Sequence, residues 1–238
     1  MNMERLDKLL ASTGRWSRRE AKILVKEGRV LVDGIPALRA EDKVDPEQSA
    51  VLVDGADIGY ARHTYIMLHK PAGVLSATED PRQRTVLDLL PPELGRRGLF
   101  PVGRLDRDTE GLLLLTDDGA LAHRLLSPKN HVDKVYYARL DAPLGEEDRL
   151  AFAQGIVLED GYRCMAAELA LLGDGGEVLI TLREGKFHQI KRMAAARGSR
   201  VIYLKRLRMG SLSLDGALPP GGWRCLTEEE IEGIGGWK

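Results

Sequence analysis

A polar, acid-rich segment, Gly103-Arg104-Leu105-Asp106-Arg107-Asp108-Thr109-Glu110-Gly111, runs into four consecutive leucines, Leu112 to Leu115. Thr116-Asp117-Asp118-Gly119 then ends the run. Four apolar residues bounded by turn formers are too few for a helix of their own and read as a buried strand. A carboxylate fixed at the mouth of such a strand sits at the surface on a rigid support, where chemistry is usually placed. Asp106 is therefore the first candidate for a reactive group.

The chain around this strand is 238 residues long, enough for one large domain or two unequal ones. Its net charge of −1 gives no hint of a polyanionic partner, but the charge is unevenly spread. Residues 5–29 hold eight Lys or Arg against three acids, and residues 181–208 hold nine against Glu184 alone. Two basic zones of this kind can track a polyanion while the whole stays soluble. Cys164 and Cys225 form no paired motif, so a reducing compartment is expected and both read as small buried side chains. The amino terminus is charged from Glu4, and no apolar run approaches membrane-spanning length. The expectation is a soluble, cytoplasmic protein.

The first sixty residues read as a compact unit. Leu6, Leu9 and Leu10 have helical spacing; Ser17-Arg18-Arg19-Glu20 is a capping box opening a second helix that Gly28 ends. Val30 to Ile35 reads as strand, Asp-Gly turn, strand. On the second helix Arg18, Arg19, Lys22 and Lys26 lie opposite the apolar stripe, a row of cations without neighbouring acids that suits a phosphate backbone. Residues 55–64 read as a linker, which places the domains at 1–60 and 61–238. Beyond it, strands are expected at 65–68, 112–115, 134–140, 177–182 and, once or twice, within 201–214. Helices are expected at 85–90, 119–126 with Asp118 as N-cap, 146–154, and after a loop in 186–197. Mixed order without a repeating strand–helix unit favours α+β.

The blocks Arg5-Leu6-Asp7-Lys8-Leu9-Leu10, Ser17-Arg18-Arg19-Glu20-Ala21 and Gly28-Arg29-Val30-Leu31-Val32-Asp33-Gly34 resemble the small RNA-binding module named after ribosomal small-subunit protein four. The resemblance implies RNA contact by Arg5, Lys8, Arg15, Arg18, Arg19, Lys22, Lys26 and Arg29.

The acids near the organising strand admit three readings. As turn formers and caps, most of them need no further role. As a calcium loop, Asp106, Asp108, Glu110, Gly111 and Asp117 have the right spacing, but Leu114 and the short Asp117 fall where ligands belong and Phe100-Pro101-Val102-Gly103 cannot form the entering helix. The third reading is a resemblance. Gly103-Arg104-Leu105-Asp106, followed by Thr109-x-Gly111-Leu-Leu-Leu-Leu-Thr-Asp-Asp-Gly119, is similar to the signature of pseudouridine synthases. Lys70-Pro71-x-Gly73 with Ser76 resembles that family's first block, with His69 where Asn or Tyr is usual. Lys134-x-Tyr136 resembles the block of the active-site tyrosine, and Glu184 to Met193 the block of the aspartate's basic partner.

The resemblance implies an α+β protein: a small amino-terminal α/β RNA-binding module, then a mixed, mainly antiparallel-sheet catalytic domain with a central cleft. It makes Asp106 the essential carboxylate, acting as nucleophile at C1′ or C6 or as base at the 2′-carbon. Lys191, where many relatives have Arg, becomes its cationic partner, and Tyr136 a face for the uracil with a phenol near C5. Arg104 would enter the space left when the uridine turns out of the stack, and Lys186, His188 and Arg192 would meet the RNA backbone. Breaking N1–C1′ and forming C5–C1′ requires no redox change, so neither cofactor nor metal is expected. Within the family the blocks most resemble the small-subunit (16S) ribosomal RNA branch, with free or partly assembled small-subunit RNA as partner and a monomer as the acting form. A large-subunit enzyme of the same architecture and a non-catalytic ribosome-assembly factor are the alternatives.

Overall fold

The computed structural model describes residues 3–58 and 63–235, and the chain separates into two compact units. The first comprises residues 1–64 together with 90–99. It opens with β1 (Glu4–Arg5), α1 (Leu6–Ser12) and α2 (Arg18–Lys26). Leu6, Leu9 and Leu10 from one helix and Ala21, Leu24 and Val25 from the other form the core with Val30, Val51 and Val53. The capping box forms: Glu20 N donates to Ser17 Oγ (3.2 Å) and Ser17 N donates to the Glu20 carboxylate (2.6 Å).

β2 (Val30–Val32) and β3 (Ile35–Pro36) are joined by the expected Asp33-Gly34 turn, both residues at positive φ. β4 (Lys43–Val44) pairs with β1, and β5 (Val51–Val53) pairs with β2. The expected linker is shorter than residues 55–64, because Asp54-Gly55 repeats the same turn chemistry and folds β6 (Ala56–Asp57) onto β5. Residues 59–62 of that linker lie outside the described residues. α3 (Pro92–Gly95), with a proline in its first turn, returns to this unit; a side chain at Gly14 would lie 2.0 Å from the Glu93 carbonyl oxygen.

The second unit, residues 65–89 and 100–238, is built on a mixed sheet. In chain order its elements are β7 (Tyr65–Lys70), β8 (Phe100–Pro101), β9 (Glu110–Thr116), α4 (Gly119–Leu126), β10 (Lys134–Leu140), α5 (Glu146–Gln154), β11 (Glu168–Leu172), β12 (Glu177–Leu182), α6 (Gln189–Ala195), β13 (Val201–Met209), β14 (Leu212–Ser213), β15 (Trp223–Cys225) and α7 (Glu228–Gly235). The strand order is β11-β12-β10-β13-β9-β7-β15, with β14 on β13 and β8 on β9. Neighbours are antiparallel except β13 and β9, which run parallel through Lys205↔Glu110 and Arg206↔Gly111. Leu112 to Leu115 are fully buried on this central strand, Leu112 and Leu114 packing with Leu121 and Leu125 of α4. A strand covered on both faces has no need of polar alternation, hence the unbroken leucines. Among the described residues no helix is long and apolar enough to cross a membrane.

Two further expectations are corrected, and one strand appears where none was expected. Residues 85–90 make only a single 3₁₀ turn at Leu87–Leu89, because Leu75 N donates to Arg84 O and Val86 N to Leu75 O, tying the start of the segment to another stretch of chain, while Thr85 N and Oγ1 donate to Asp88 and cap that one turn. Leu169 to Leu172 form a strand, turned back on β12 through Gly173 to Gly176. Cys164 is buried, but Cys225 is exposed on edge strand β15.

Candidate active site

Asp106 lies in the loop that delivers the chain into β9, and that loop is fastened from below. Ser76 Oγ donates to Leu105 O (2.9 Å) and accepts from Leu105 N (3.0 Å), clamping the residue before the aspartate on both backbone groups. Lys70, with no exposed surface, donates to the carbonyls of Pro71 (3.0 Å), Arg107 (3.2 Å) and Thr109 (2.9 Å). Gly73 N donates to Arg107 O at 2.7 Å, and Thr109 N to Asp106 O at 3.1 Å. The Lys70-Pro71-x-Gly73 and Ser76 block is thus the seat of the aspartate loop. Burial brings the Lys70 amine down to about 8, the nearby charges of Asp108, Glu110 and Asp106 opposing the fall.

α6 brings the cation. Lys191 Nζ stands 3.2 Å from Asp106 Oδ2, and closer still to Asp108, at 2.6 and 2.9 Å. Burial pulls Lys191 down, but its bonds to Asp108 and Asp106 outweigh this and hold it above its ordinary value. Burial pushes Asp108 up, and Lys191 reverses that to leave it below the usual carboxylate range. His188 adopts a left-handed conformation (φ 50°) at the N-cap of α6, which turns its Nε2 to 3.7 Å from Asp106 Oδ1. Its ring stacks on Phe187, centroids 3.8 Å apart, and Phe187 is 75% exposed.

The sheet brings the aromatic face. Tyr136 on β10 is buried and lies in register with Arg206 of β13, which in turn faces Gly111 of β9. The neighbouring Tyr137 points the other way, edge-on to Tyr203 at 6.0 Å. Asp106, Tyr136, Lys134, Arg206, Arg104 and His188 line one cavity of about 880 Å³ in this unit, room enough for a nucleoside. Asp106 is neither sealed in nor turned away: its side chain is 27% exposed.

The remaining cations are placed unequally. Arg104 is exposed at the cavity, Lys186 is exposed with its ammonium 5.0 Å from the Tyr162 ring centroid, and Arg192 is ion-paired with Asp160. In the amino-terminal unit the row on α2 is not free of acids, since Glu41 reaches Lys22 at 3.3 Å. Arg5 is held by Asp7, Lys8 by Glu4, and Arg29 by Asp54. Arg15 donates to the Asp57 carbonyl, whereas Arg18, Arg19 and Lys26 are exposed and form no ion pair among the described residues. The carboxylates of the calcium-loop reading do not converge: Asp106 and Asp108 share Lys191, while Glu110 accepts from Tyr203 OH at 2.7 Å. Arg206, the buried seating role of Lys70 within its block, and the nearness of His188 to Asp106 were not read from the sequence. Arg206 and Lys70 are charged residues in strands, which pattern assigns to solvent.

Residues 64–196 match the family model described as RNA pseudouridylate synthase, and residues 4–49 match the S4 domain. Over 230 residues the chain is 53% identical to an uncharacterized RNA pseudouridine synthase of Bacillus subtilis (strain 168), YtzG, covering 95% of this chain and 96% of that one. It is 43% identical over 236 residues to the ribosomal small subunit pseudouridine synthase A of Vibrio cholerae, with 98% and 100% covered. A crystal structure of a pseudouridylate synthase superimposes with a TM-score of 0.69 at 34% identity, covering 97% of this chain and 99% of that one.

Proposed function

The chain belongs to the RNA pseudouridylate synthase family, and from that membership we propose that its substrate is one uridine of small-subunit (16S) ribosomal RNA. The relatives named for the small ribosomal subunit, matched over nearly their whole length, support the choice of RNA. The protein acts as a monomer in the cytoplasm, where the subunit is assembled; residues 1–60 serve as its RNA-binding module and residues 61–238, apart from the 90–99 stretch that belongs with the amino-terminal unit, as its catalytic domain.

The observation that carries the chemistry is the ion-paired carboxylate of Asp106 on the wall of a nucleoside-sized cavity. A target uridine leaves the RNA stack and enters, Arg104 filling the space behind it. Asp106, ion-paired with Lys191, serves as nucleophile or base while N1–C1′ breaks and the uracil turns. Tyr136 stacks on the base and its phenol assists the loss of the C5 proton. The cavity walls, apolar at Leu75, Leu105, Leu126 and Met165, exclude water from the detached base. Lys186, His188 and Arg192 engage the backbone, as do the cations of the amino-terminal module: Arg5, Lys8, Arg15, Arg18, Arg19, Lys22, Lys26 and Arg29.

Asp106→Asn tests the assignment, because an amide keeps the shape but cannot act as an anionic nucleophile or base. Filter binding should show wild-type RNA affinity, and pseudouridine mapping of 16S RNA should show no product. Appreciable turnover by this variant sinks the chemical assignment, and wild-type product in large-subunit RNA alone sinks the choice of substrate.

A further inference from the structure

Arg206 heads the largest fully buried side chains, with 2% of its surface exposed. Its Nε donates to Leu112 O at 2.8 Å, and its Nη2, buried as well, has no hydrogen-bond partner among the described residues. Nor does a carboxylate lie within ion-pairing distance of it among those residues. A guanidinium keeps its charge in proteins, and a buried charge without a counter-charge is costly. Buried donors left unpaired are uncommon and call for an explanation. The fold goes out of its way to hold this one. β9 approaches β13 so closely that a side chain at Gly111 would come within 2.2 Å of the Arg206 carbonyl oxygen.

The place of the side chain says what it meets. Arg206 is in register with Tyr136 and lines the same cavity as Asp106 and Lys134. An RNA phosphate stays with the backbone at the rim, where Arg104 and Lys186 are exposed. A nearly inaccessible donor on the sheet floor is reached only by what descends to the bottom, and in this cavity that is a nucleobase edge. Uracil offers only carbonyl oxygens as strong acceptors there.

We propose that Arg206 is a catalytic residue of the isomerisation, its free Nη2–H donating to a uracil carbonyl oxygen and balancing the negative charge on the detached base. The inference rests on the isomerase reading. When N1–C1′ breaks, the bonding pair leaves with the base and spreads over N1 and the two carbonyl oxygens. C1′ is satisfied by the Asp106 carboxylate, or by loss of a C2′ proton that is later returned. The turned base gives the pair back from C5 to C1′, the C5 proton departs and N1 takes one up, so no co-reactant is consumed. A fixed donor in a water-poor site stabilises such charge strongly. Lys134 lines the same cavity, its amine brought down to about 8 by burial and by the charge of Arg206.

Arg206→Met and Arg206→Lys decide the matter on an RNA that the wild type modifies. Circular dichroism and thermal unfolding report folding, binding titrations report RNA affinity, and single-turnover assays report N1–C1′ cleavage. Arg206→Met is expected to bind RNA normally and to cleave on the order of 10²-fold more slowly. Arg206→Lys should recover part of that rate. The deficit should narrow when the target is 5-fluorouridine, whose departing base holds negative charge more readily. Wild-type cleavage rates, a deficit equal for both bases, or failure of both variants to fold each overturn the inference. An inactive wild type on every ribosomal RNA overturns instead the isomerase reading beneath it.

Discussion

Lys191 is shared between Asp106 and Asp108, one positive charge against two carboxylates, and this sharing sets the electrostatics of the site. The family blocks single out Asp106, Tyr136 and Lys191, because each sits in a short motif whose order along the chain is informative, and the structure places Asp106 and Tyr136 on one cavity with Lys191 3.2 Å from the carboxylate. Arg206 was not legible. In Leu204-Lys205-Arg206-Leu207-Arg208 three cations alternate loosely with leucines, and no local pattern says which of them is buried. The buried amines also carry a pH signature. Lys134 titrates at about 8 when folded, against 10.5 as a free side chain. Between those values the unfolded chain binds more protons than the folded one, so this group adds stability as pH rises from about 8 and adds no more beyond 10.5. Lys134→Met should therefore flatten the rise of stability across that interval, as read from denaturant unfolding at a series of pH values.

At the scale of elements, the short parallel pairing between β9 and β13 is what seats the reactive loop. The pairing spans only Lys205↔Glu110 and Arg206↔Gly111, directly after the Asp106 loop. Gly111 has φ +105°, and a methyl group there would meet backbone rather than a yielding side chain. Gly111→Ala should cost at least about 2 kcal/mol in urea unfolding, with activity falling further because Arg206 and Asp106 are both displaced. The leucine run foretold β9, since four buried residues between turn formers have little choice. The expected helix at 85–90 failed because its backbone is bonded to the Leu75 segment, a pairing across ten residues that periodicity cannot register. β11 was missed although Gly173 to Gly176 marks its hairpin, because its leucines run without strict alternation.

At the scale of the molecule, a net charge of −1 conceals exposed cations, because folding pairs some of the bases with acids and leaves others unpaired. Folding brings Glu4, Glu41 and Asp54 to Lys8, Lys22 and Arg29, which leaves Arg18, Arg19 and Lys26 as the uncommitted cations of α2. Substituting Arg18→Gln and Lys26→Gln together should lower the slope of log K against log salt by about 0.7 for each phosphate no longer neutralised, without altering the rate at saturating RNA. An unchanged slope would place the RNA elsewhere. The two-part organisation was readable from the ordered blocks, but the membership of residues 90–99 was not, because a linear reading assigns neighbours in sequence to the same body. That detour makes neither part a contiguous length of chain. A cut after Thr64 would orphan the decapeptide that ends in the fully covered Leu99, so grafting a foreign recognition head onto this enzyme means transplanting two separate stretches rather than one.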